Sequence, residues 1–273
     1  EFFRGDIRNT RDVEKAIKGA DYVVHLAAIV GEPSCKQYES SVYSVNTGAT
    51  EWISKCAYNY DIPLLFLSTC SNYGKMVDSS QYVTEESELR PVSLYAENKV
   101  AVETSLLSES SQDSVNVTVL RLATAFGLSP RMRFDLTVNE FTLELLVNKS
   151  LMIYGEQFWR PYIHVCDIAR AVSTVLESSL DKVGGRVFNV GDTDQNFRKG
   201  EIVKLVKSVI EQKCDIQYVK KEEDPRDYRV SFDRINSELG FSITRTVESG
   251  IREVADVVRK GVIADFDNPY YRN

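Results

Sequence analysis

The stretch IPLLFLSTCSNYG, residues 62–74, decides the fold. Its apolar run ends in Ser68 and Thr69, and such a run is typical of a strand that is buried on both faces. A similar run, DYVVHLAA (21–28), comes earlier, and the amphipathic stretch SSVYSVNTGATEWISKCAYNY (40–60) separates the two and predicts a long helix. Strand, helix and strand in this order predict a parallel β-α-β unit.

The alternation continues on both sides of this unit. Residues 9–20, NTRDVEKAIKGA, predict a helix with Asn9 as N-cap and Gly19 just past its end. Before it, Phe2 to Arg4 predict a short strand that ends in a turn. SLYAENKVAVETSLLSES (93–110) predicts another helix, and VNVTVLRLATAFG (115–127) predicts another strand. We therefore predict an α/β fold with a doubly wound, mostly parallel sheet, followed after Gly127 by a smaller α+β part.

Composition excludes several classes of function. The net charge is −7 with no basic run, which argues against nucleic acid and anionic membranes as partners. No apolar stretch is long enough to span a membrane. The five cysteines are scattered without a CxxC pair, so we expect free thiols in a reducing cytoplasm. Two histidines far apart in sequence exclude a multi-histidine metal site.

Tyr95 and Lys99 are the first candidates for chemistry. They lie four residues apart on the predicted helix and therefore share a face. A nearby ammonium favours the phenolate, so Lys99 would lower the pKa of Tyr95 and let it take a proton from an alcohol. Thr69, at the end of the preceding strand, offers a hydroxyl to the same substrate oxygen. Each residue alone has an ordinary structural explanation as a packed tyrosine, a surface lysine or a turn threonine.

Together with HLAA and SVNTGAT, the order and spacing of these motifs resemble the extended short-chain dehydrogenase/reductases, the NAD-dependent sugar-nucleotide epimerase/dehydratase group. The resemblance implies a Rossmann-type domain over residues 1–126, to which segments within 160–190 return, and a mainly substrate-binding domain over 127–273. It implies Thr69, Tyr95 and Lys99 as catalytic residues. Further expected contacts to the NAD cofactor are Asp6, Ile7, Leu26, Ala27, Ala28, Asn46, Leu67 and Ser68.

The resemblance also implies contacts to the diphosphate and the sugar of a nucleotide-sugar substrate. Asn139, Arg160 and Arg226 match phosphate-binding positions, and an arginine fork can bond two phosphate oxygens at once. Thr124 occupies the substrate position where the family usually has asparagine, which leaves that contact open. For Arg226, an ion pair with Asp224 or Asp227 is an equal alternative.

Other polar residues near these motifs are open to two interpretations. Arg131 and Arg133 either hold the nucleotide or serve structural pairs, for example with Asp135. We expect His25 to stay neutral, His164 to be structural and Cys70 to be an inert buried thiol.

The family's glycine-rich dinucleotide fingerprint, G-x-x-G-x-x-G, is not found in this sequence. The segment FFRGD (2–6) matches the family's third strand, so we expect strands one and two to belong to an N-terminal portion of the natural protein. That portion would hold much of the cofactor and would select NAD over NADP, so NADP stays open.

The resemblance implies hydride transfer at a sugar carbon, expected to be C4, with Tyr95 as base. An epimerase, a 4-dehydrogenase and a ketoreductase all stay open. A 4,6-dehydratase is disfavoured, because Cys70-Ser71 follows Thr69 where dehydratases have Asp-Glu. A non-catalytic dinucleotide-binding regulator is the alternative of another class. A homodimer is expected through helices at roughly 37–57 and 93–110.

Overall fold

The computed structural model describes residues 1–76, 78, 81–110, 116–220 and 226–273. The strands β1 to β9 are, in chain order, Val23–His25, Leu64–Thr69, Val117–Leu122, Thr124–Phe126, Ser150–Tyr154, Trp159–His164, Arg186–Val190, Asn196–Arg198 and Asp215–Val219. The α-helices α1 to α11 are Thr10–Ile17, Glu32–Gln37, Glu39–Val42, Ala49–Asn59, Leu94–Ser110, Thr137–Val147, Val165–Leu176, Leu180–Val183, Lys199–Ile210, Asp233–Leu239 and Val247–Arg259.

The first sheet is parallel, in the order β1-β2-β3-β7. Leu64 pairs with Val23 on one side and with Val117 on the other, so β2 is an inner strand. Successive side chains of β2 point to opposite faces, and both faces are covered. Phe66 packs in a cluster with α1, α4 and α5, whereas Leu65 packs in a second cluster with α7. The predicted parallel sheet with helices on both faces is confirmed.

Local signals at the first helix act as predicted. Asn9 accepts a hydrogen bond from the backbone N–H of Arg11 at 3.1 Å and caps α1. Gly19 follows the helix with φ +81°, a conformation that favours glycine because it has no Cβ.

Two strand predictions were wrong. Residues 2–4 form no strand; Phe2 is 90% exposed, and none of the described strands pairs with this segment. Residues 115–127 do not form one strand. The chain changes partner after Leu122: Ala123 still donates its N–H to Val190 of the first sheet, whereas β4 pairs with β6 in another sheet.

The predicted long helix at 40–60 is continuous but not uniformly α-helical. A π-helical segment, Tyr43–Gly48, joins α3 to α4 and carries Asn46 inward. Asn46 accepts from the N–H of Ile29 at 2.7 Å and donates to the carbonyl of Ile29 at 2.9 Å. Such π segments are often found at functional sites. Here the segment fixes the loop that follows β1.

The remaining strands form two small sheets beside the first. One has the order β4-β6-β8 and the other pairs β5 with β9. Helices α6, α9 and α11 pack together around another hydrophobic core, separate from the two clusters on the first sheet. This core includes Phe141, Ile202 and Ile251. The C-terminal segment docks against this part of the molecule through Phe266 and Tyr271, which both contact the buried Phe134. Across the described ranges, no helix is both long and apolar enough to cross a membrane.

Candidate active site

A cavity of about 420 Å³ opens where β2 and β3 end, as expected for the carboxyl edge of a parallel sheet. Its lining includes most of the residues predicted for catalysis and for substrate contact, namely Thr69, Tyr95, Thr124, Arg160 and Arg226, together with Ser68, a predicted cofactor contact. Thr124 reaches the cavity lining because the chain leaves the first sheet after Leu122 and enters β4. The sequence separations are large, so it is the fold that brings these side chains together.

Thr69 and Tyr95 both line the cavity, and the hydroxyl of Thr69 is close enough to the phenol to lower its pKa. Thr69 is the last residue of β2, and its Oγ1 also accepts from the N–H of Ser71 at 3.1 Å, which caps the short 3-10 turn Cys70–Tyr73. Tyr95 lies in the first turn of α5. The side chains of residues 69 and 95 therefore line the same cavity, and the catalytic role of both stays a prediction.

Burial decides the acidity of Tyr95. The pKa of its phenol lies above the ordinary value, because burial and the neighbouring Cys35 and Tyr228 raise it. The hydroxyl of Thr69 and the positive charge of Arg133 lower the pKa by less. The expectation of a lowered pKa is therefore wrong for this structure, because desolvation of the phenolate outweighs the cations around it.

Lys99 lies one turn further along α5 and is almost completely buried. Its ammonium donates to the carbonyl oxygen of Leu67 at 2.7 Å and lies 4.4 Å from the centroid of the Phe66 ring. Burial lowers the pKa of Lys99 to about 8, while the carboxylate of Glu103 acts in the opposite direction. This lysine is thus held under the end of β2, close to neutrality at mildly alkaline pH.

A buried polar network supports this edge of the sheet. Glu103, on α5, accepts from Ser68 Oγ at 2.8 Å and from Asn72 Nδ2 at 3.2 Å, and it forms an ion pair with Arg121 of β3. Arg121 also donates to the hydroxyl of Tyr73 at 2.9 Å. The network ties α5, β2 and β3 together directly beneath Thr69.

Cationic side chains also line the cavity, namely Arg160, Arg226, Arg133 and Lys199. Arg160 is largely buried and lies 5.5 Å from the centroid of Tyr228. Asp224 lies outside the described residues, so one of the two alternative ion pairs of Arg226 is not described. The cationic side chains in the lining suit an anionic group such as a diphosphate.

Asn139 differs from the other predicted substrate contacts, because it lies outside the cavity lining. Its amide is buried, accepts from the N–H of Gly127 at 3.0 Å and donates to the carbonyls of Gly127 and Arg133. These bonds hold the loop between β4 and α6. The structure therefore gives Asn139 a positioning role for the wall that carries Arg133.

A second cavity, of about 390 Å³, collects several of the predicted cofactor contacts. Asp6, Ile7, Leu26 and Ala27 line it beside α1 and the end of β1. Asp6 accepts hydrogen bonds from Arg8, which lower the pKa of its carboxyl to about 2. The apolar side chain of Leu26 is 67% exposed at the end of the strand. Ala28 is not in this lining, and Asn46 acts through the Ile29 loop described above.

The residues with two interpretations now have defined contacts. Arg133 forms a fork with Asp135, with N–O distances of 2.6 and 2.8 Å, and also lines the cavity. Arg131 points away and donates to the carbonyls of Tyr270 and Arg272 in the C-terminal segment.

The two histidines and Cys70 have structural contacts. Burial lowers the pKa of His25 to about 4. His164 caps α7 and contacts Glu253 at 2.7 Å. Cys70 is buried, and burial raises the pKa of its thiol.

Among the lining residues that sequence reasoning missed are Glu32, Lys199 and Tyr228. Tyr228 could have been noticed, because it lies two residues after Arg226 in the same quoted stretch. Glu32 and Lys199 carry no motif of their own. Lys199 lies at the start of α9, and only the packing of α9 against α6 brings this helix to the site.

Comparison with known proteins identifies the family of this chain. The family model of the NAD-dependent epimerase/dehydratase family matches residues 1–191. UDP-glucuronic acid decarboxylase 1 of Danio rerio is 23% identical over 263 residues, covering 94% of this chain and 62% of the relative. dTDP-glucose 4,6-dehydratase of Streptomyces niveus is 26% identical over 262 residues, covering 94% and 76%. The chain thus spans about three fifths of the length of the first of these relatives.

A solved structure shares the fold. The UDP-glucose 4-epimerase of Thermus thermophilus, solved in complex with NAD, superposes with a TM-score of 0.80 at 23% identity, covering 94% of this chain and 84% of that one. At this identity the likeness shows the fold alone. Because the family model matches well over half of its residues, the chain belongs to the NAD-dependent epimerase/dehydratase family.

Proposed function

We propose that the protein oxidises a nucleotide-diphosphate sugar at C4 with NAD as cofactor. The reaction that we favour is epimerisation of that carbon. The observation that carries this proposal is one cavity that is lined both by the hydroxyl side chains of Thr69 and Tyr95 and by the cationic side chains of Arg160 and Arg226. The hydroxyl pair suits an alcohol at the reacting carbon, and the arginines suit the diphosphate.

Tyr95 is the proposed base, and Thr69 orients the reacting oxygen. In the resting site the phenol is held neutral, because burial raises its pKa. We propose that the ammonium of Lys99, one turn further along α5, favours the phenolate once substrate and cofactor are bound. The proton leaves the sugar hydroxyl to the phenolate, with Thr69 donating a hydrogen bond to the oxygen that becomes the ketone.

The residues at the end of β1 fit a dinucleotide. The Asn46 amide fixes the Ile29 loop from beneath, and the exposed Leu26 offers an apolar surface at the strand end. We propose that Asp6, Ile7, Leu26, Ala27, Ala28, Asn46, Leu67, Ser68 and Lys99 contact or position the cofactor. Bound NAD would supply the hydride acceptor; NADP stays the alternative cofactor.

Release of the ketone, without return of the hydride, gives the alternative of a 4-dehydrogenase, and the reverse reaction gives a ketoreductase. Dehydration is disfavoured in this site. Cys70, directly after Thr69, is buried, donates its thiol to the carbonyl of Arg121 at 3.2 Å and has a raised pKa. It therefore cannot replace the acid that a dehydratase needs to expel water.

The non-catalytic alternative keeps the fold but not the chemistry. The presence of Tyr95 and Thr69 in one cavity lining favours an enzyme over a regulator. The test is mass spectrometry of ligands that co-purify with the full-length protein, followed by assay of the identified nucleotide sugar for NADH formation and for epimer exchange. A bound sugar nucleotide that is converted supports the proposal, whereas a bound dinucleotide with no conversion of any nucleotide sugar supports the regulator.

Two further expectations belong to the same proposal. The five cysteines are all free thiols, which supports a reducing cytoplasm. A homodimer through the helices at roughly 37–57 and 93–110 is proposed from the family resemblance, and sedimentation of the purified protein tests it. We propose no nucleic-acid or membrane partner.

A further inference from the structure

One hydrogen bond joins the two backbone segments that bring Arg160 and Arg226 to the cavity. Arg160 belongs to β6, Arg226 belongs to the segment that precedes α10, and both side chains line the cavity. Trp159 directly precedes Arg160, and Asp227 directly follows Arg226. The carboxylate oxygen Oδ1 of Asp227 accepts a hydrogen bond from the N–H of Trp159 at 2.8 Å, across a sequence separation of 68 residues. This bond therefore links the neighbour of one arginine to the neighbour of the other.

The backbone of Asp227 is held by bonds that do not involve its side chain. Its N–H donates to the carbonyl of Gly74 at 3.2 Å, and its own carbonyl accepts from the N–H of Met76 at 2.9 Å. Gly74 and Met76 come shortly after Thr69, at the end of β2. A change of the side chain at position 227 thus removes the link to Trp159 and leaves the link to the Thr69 side of the molecule in place.

Side-chain packing shows how closely the two segments depend on each other. The guanidinium of Arg160 lies 5.5 Å from the ring centroid of Tyr228, and the guanidinium of Arg229 lies 5.1 Å from that of Trp159. The hydrogen bond between Trp159 and Asp227 is partly buried within this packing. A shielded N–H that loses its acceptor is unfavourable, so without the carboxylate we expect the segments to move apart until water reaches the N–H.

We propose that Asp227 is a positioning residue for the anionic part of the substrate: its hydrogen bond to Trp159 sets the separation of Arg160 and Arg226 so that both can bind one diphosphate. This inference rests on the proposed function and adds the residue that preorganises its anion-binding arginines. A binding site that is preorganised in this way loses less free energy to ordering when the ligand binds.

Charge and position make opposite predictions for variants of Asp227. The carboxylate is negative and lies next to Arg226 in the chain, so by charge alone its removal favours an anion in the cavity. Position predicts weaker binding, because one arginine then no longer reaches the diphosphate that the other holds. Asp227→Asn keeps a carbonyl oxygen for the N–H of Trp159 and removes the charge, whereas Asp227→Ala removes both. The two variants have the same charge, so their difference isolates the hydrogen bond.

The test measures the binding of UDP, GDP and dTDP to the full-length protein by calorimetry, for the wild type and for both variants. Asp256→Ala is the matched control, because Asp256 is an exposed aspartate whose carboxylate pairs with Lys260 one turn further along α11. Thermal unfolding shows whether each variant is folded. If Asp227→Ala does not fold, Asp227→Glu replaces it, because the longer side chain keeps the charge and displaces the acceptor.

Asp227→Asn should bind the preferred nucleoside diphosphate at least as tightly as the wild type. Asp227→Ala should bind it about tenfold more weakly than Asp227→Asn, which corresponds to the loss of about one hydrogen bond to a charged group. Asp227→Glu should bind it about threefold more weakly than the wild type, and Asp256→Ala should bind it as the wild type does.

With the sugar nucleotide found by co-purification, Asp227→Ala should raise KM and keep kcat within about threefold of wild type, because the bond serves binding rather than the chemical step. Equal affinities of Asp227→Ala and Asp227→Asn, wild-type affinity of Asp227→Glu, or a fall in kcat at unchanged KM would overturn the inference alone. A wild type that binds none of the three nucleoside diphosphates would overturn the proposed function and this inference with it.

Discussion

Replacing Glu103 with glutamine tests whether the buried network supports the edge of the sheet. Both residues of the Glu103–Arg121 pair are almost fully buried, and Glu103 accepts from Arg121 Nε at 2.9 Å. Its other oxygen accepts from Ser68 and Asn72. Glutamine has the same shape, but it leaves the Arg121 guanidinium buried without a counter-charge and turns an amide group toward existing donors.

Removing one partner of a buried ion pair costs about 3–5 kcal/mol of folding free energy. For a chain of 273 residues, an unfolding entropy of about 2.1 cal/mol/K per residue gives about 0.57 kcal/mol per degree. Glu103→Gln should therefore lower the melting temperature by about 5–9 °C. Replacing both residues, as in Glu103→Met with Arg121→Met, should recover most of this loss, because no unpaired charge remains.

Differential scanning calorimetry of the variants and the wild type measures the effect. Glu97→Gln is the matched control, since Glu97 is an exposed glutamate on the same helix, and its melting temperature should stay within about 1 °C of wild type. A Glu103→Gln protein that melts with the control would refute the reasoning. So would a double variant that is less stable than the single one.

Three further predictions concern neighbouring groups. Burial lowers the pKa of His25 to about 4, so below pH 6.5 the unfolded state binds more protons than the folded state. The free energy of unfolding should therefore fall by about 3 kcal/mol from pH 6.5 to pH 4. His25→Gln should reduce this pH dependence when unfolding is measured in urea. Burial lowers the pKa of Lys99 to about 8, so between pH 8 and pH 10 the unfolded state binds more protons than the folded state. The free energy of unfolding of the wild type should therefore rise over this range relative to that of Lys99→Met. Parallel curves of unfolding free energy against pH for the two proteins would contradict this cause. Arg131→Ala should speed amide exchange in residues 268–273, whereas Arg11→Ala, an exposed control, should not.

The sequence predicted the structure best for features that depend on residues close together along the chain, such as strand periodicity and helix caps. The apolar runs at 21–28 and 62–69 predicted adjacent parallel strands, and Asn9 predicted the start of α1, because these features depend on residues close in sequence. Thr69 and Tyr95 were also identified in this way. Their spacing along the chain reflects one β-α unit, and the fold places both side chains in the lining of one cavity.

Other features depend on contacts that no short stretch encodes. The break after Leu122 arises because β4 finds its partner in β6, almost forty residues later. The acidity of Tyr95 depends on burial by distant residues, including Tyr228, so the effect of Lys99 alone gave the wrong direction. Asn139 matched a substrate-binding position by sequence, but its amide is used by the backbone of Gly127 and Arg133.

The measurement that tests the central claim most directly is the turnover of Tyr95→Phe on the nucleotide sugar identified by co-purification. The variant removes only the phenolic oxygen and so keeps the packing of α5. The account predicts a loss of about 10²–10⁴ in turnover, with sugar-nucleotide affinity retained and with the exposed control Tyr43→Phe active as wild type. Turnover by Tyr95→Phe that equals the wild-type rate would contradict the account.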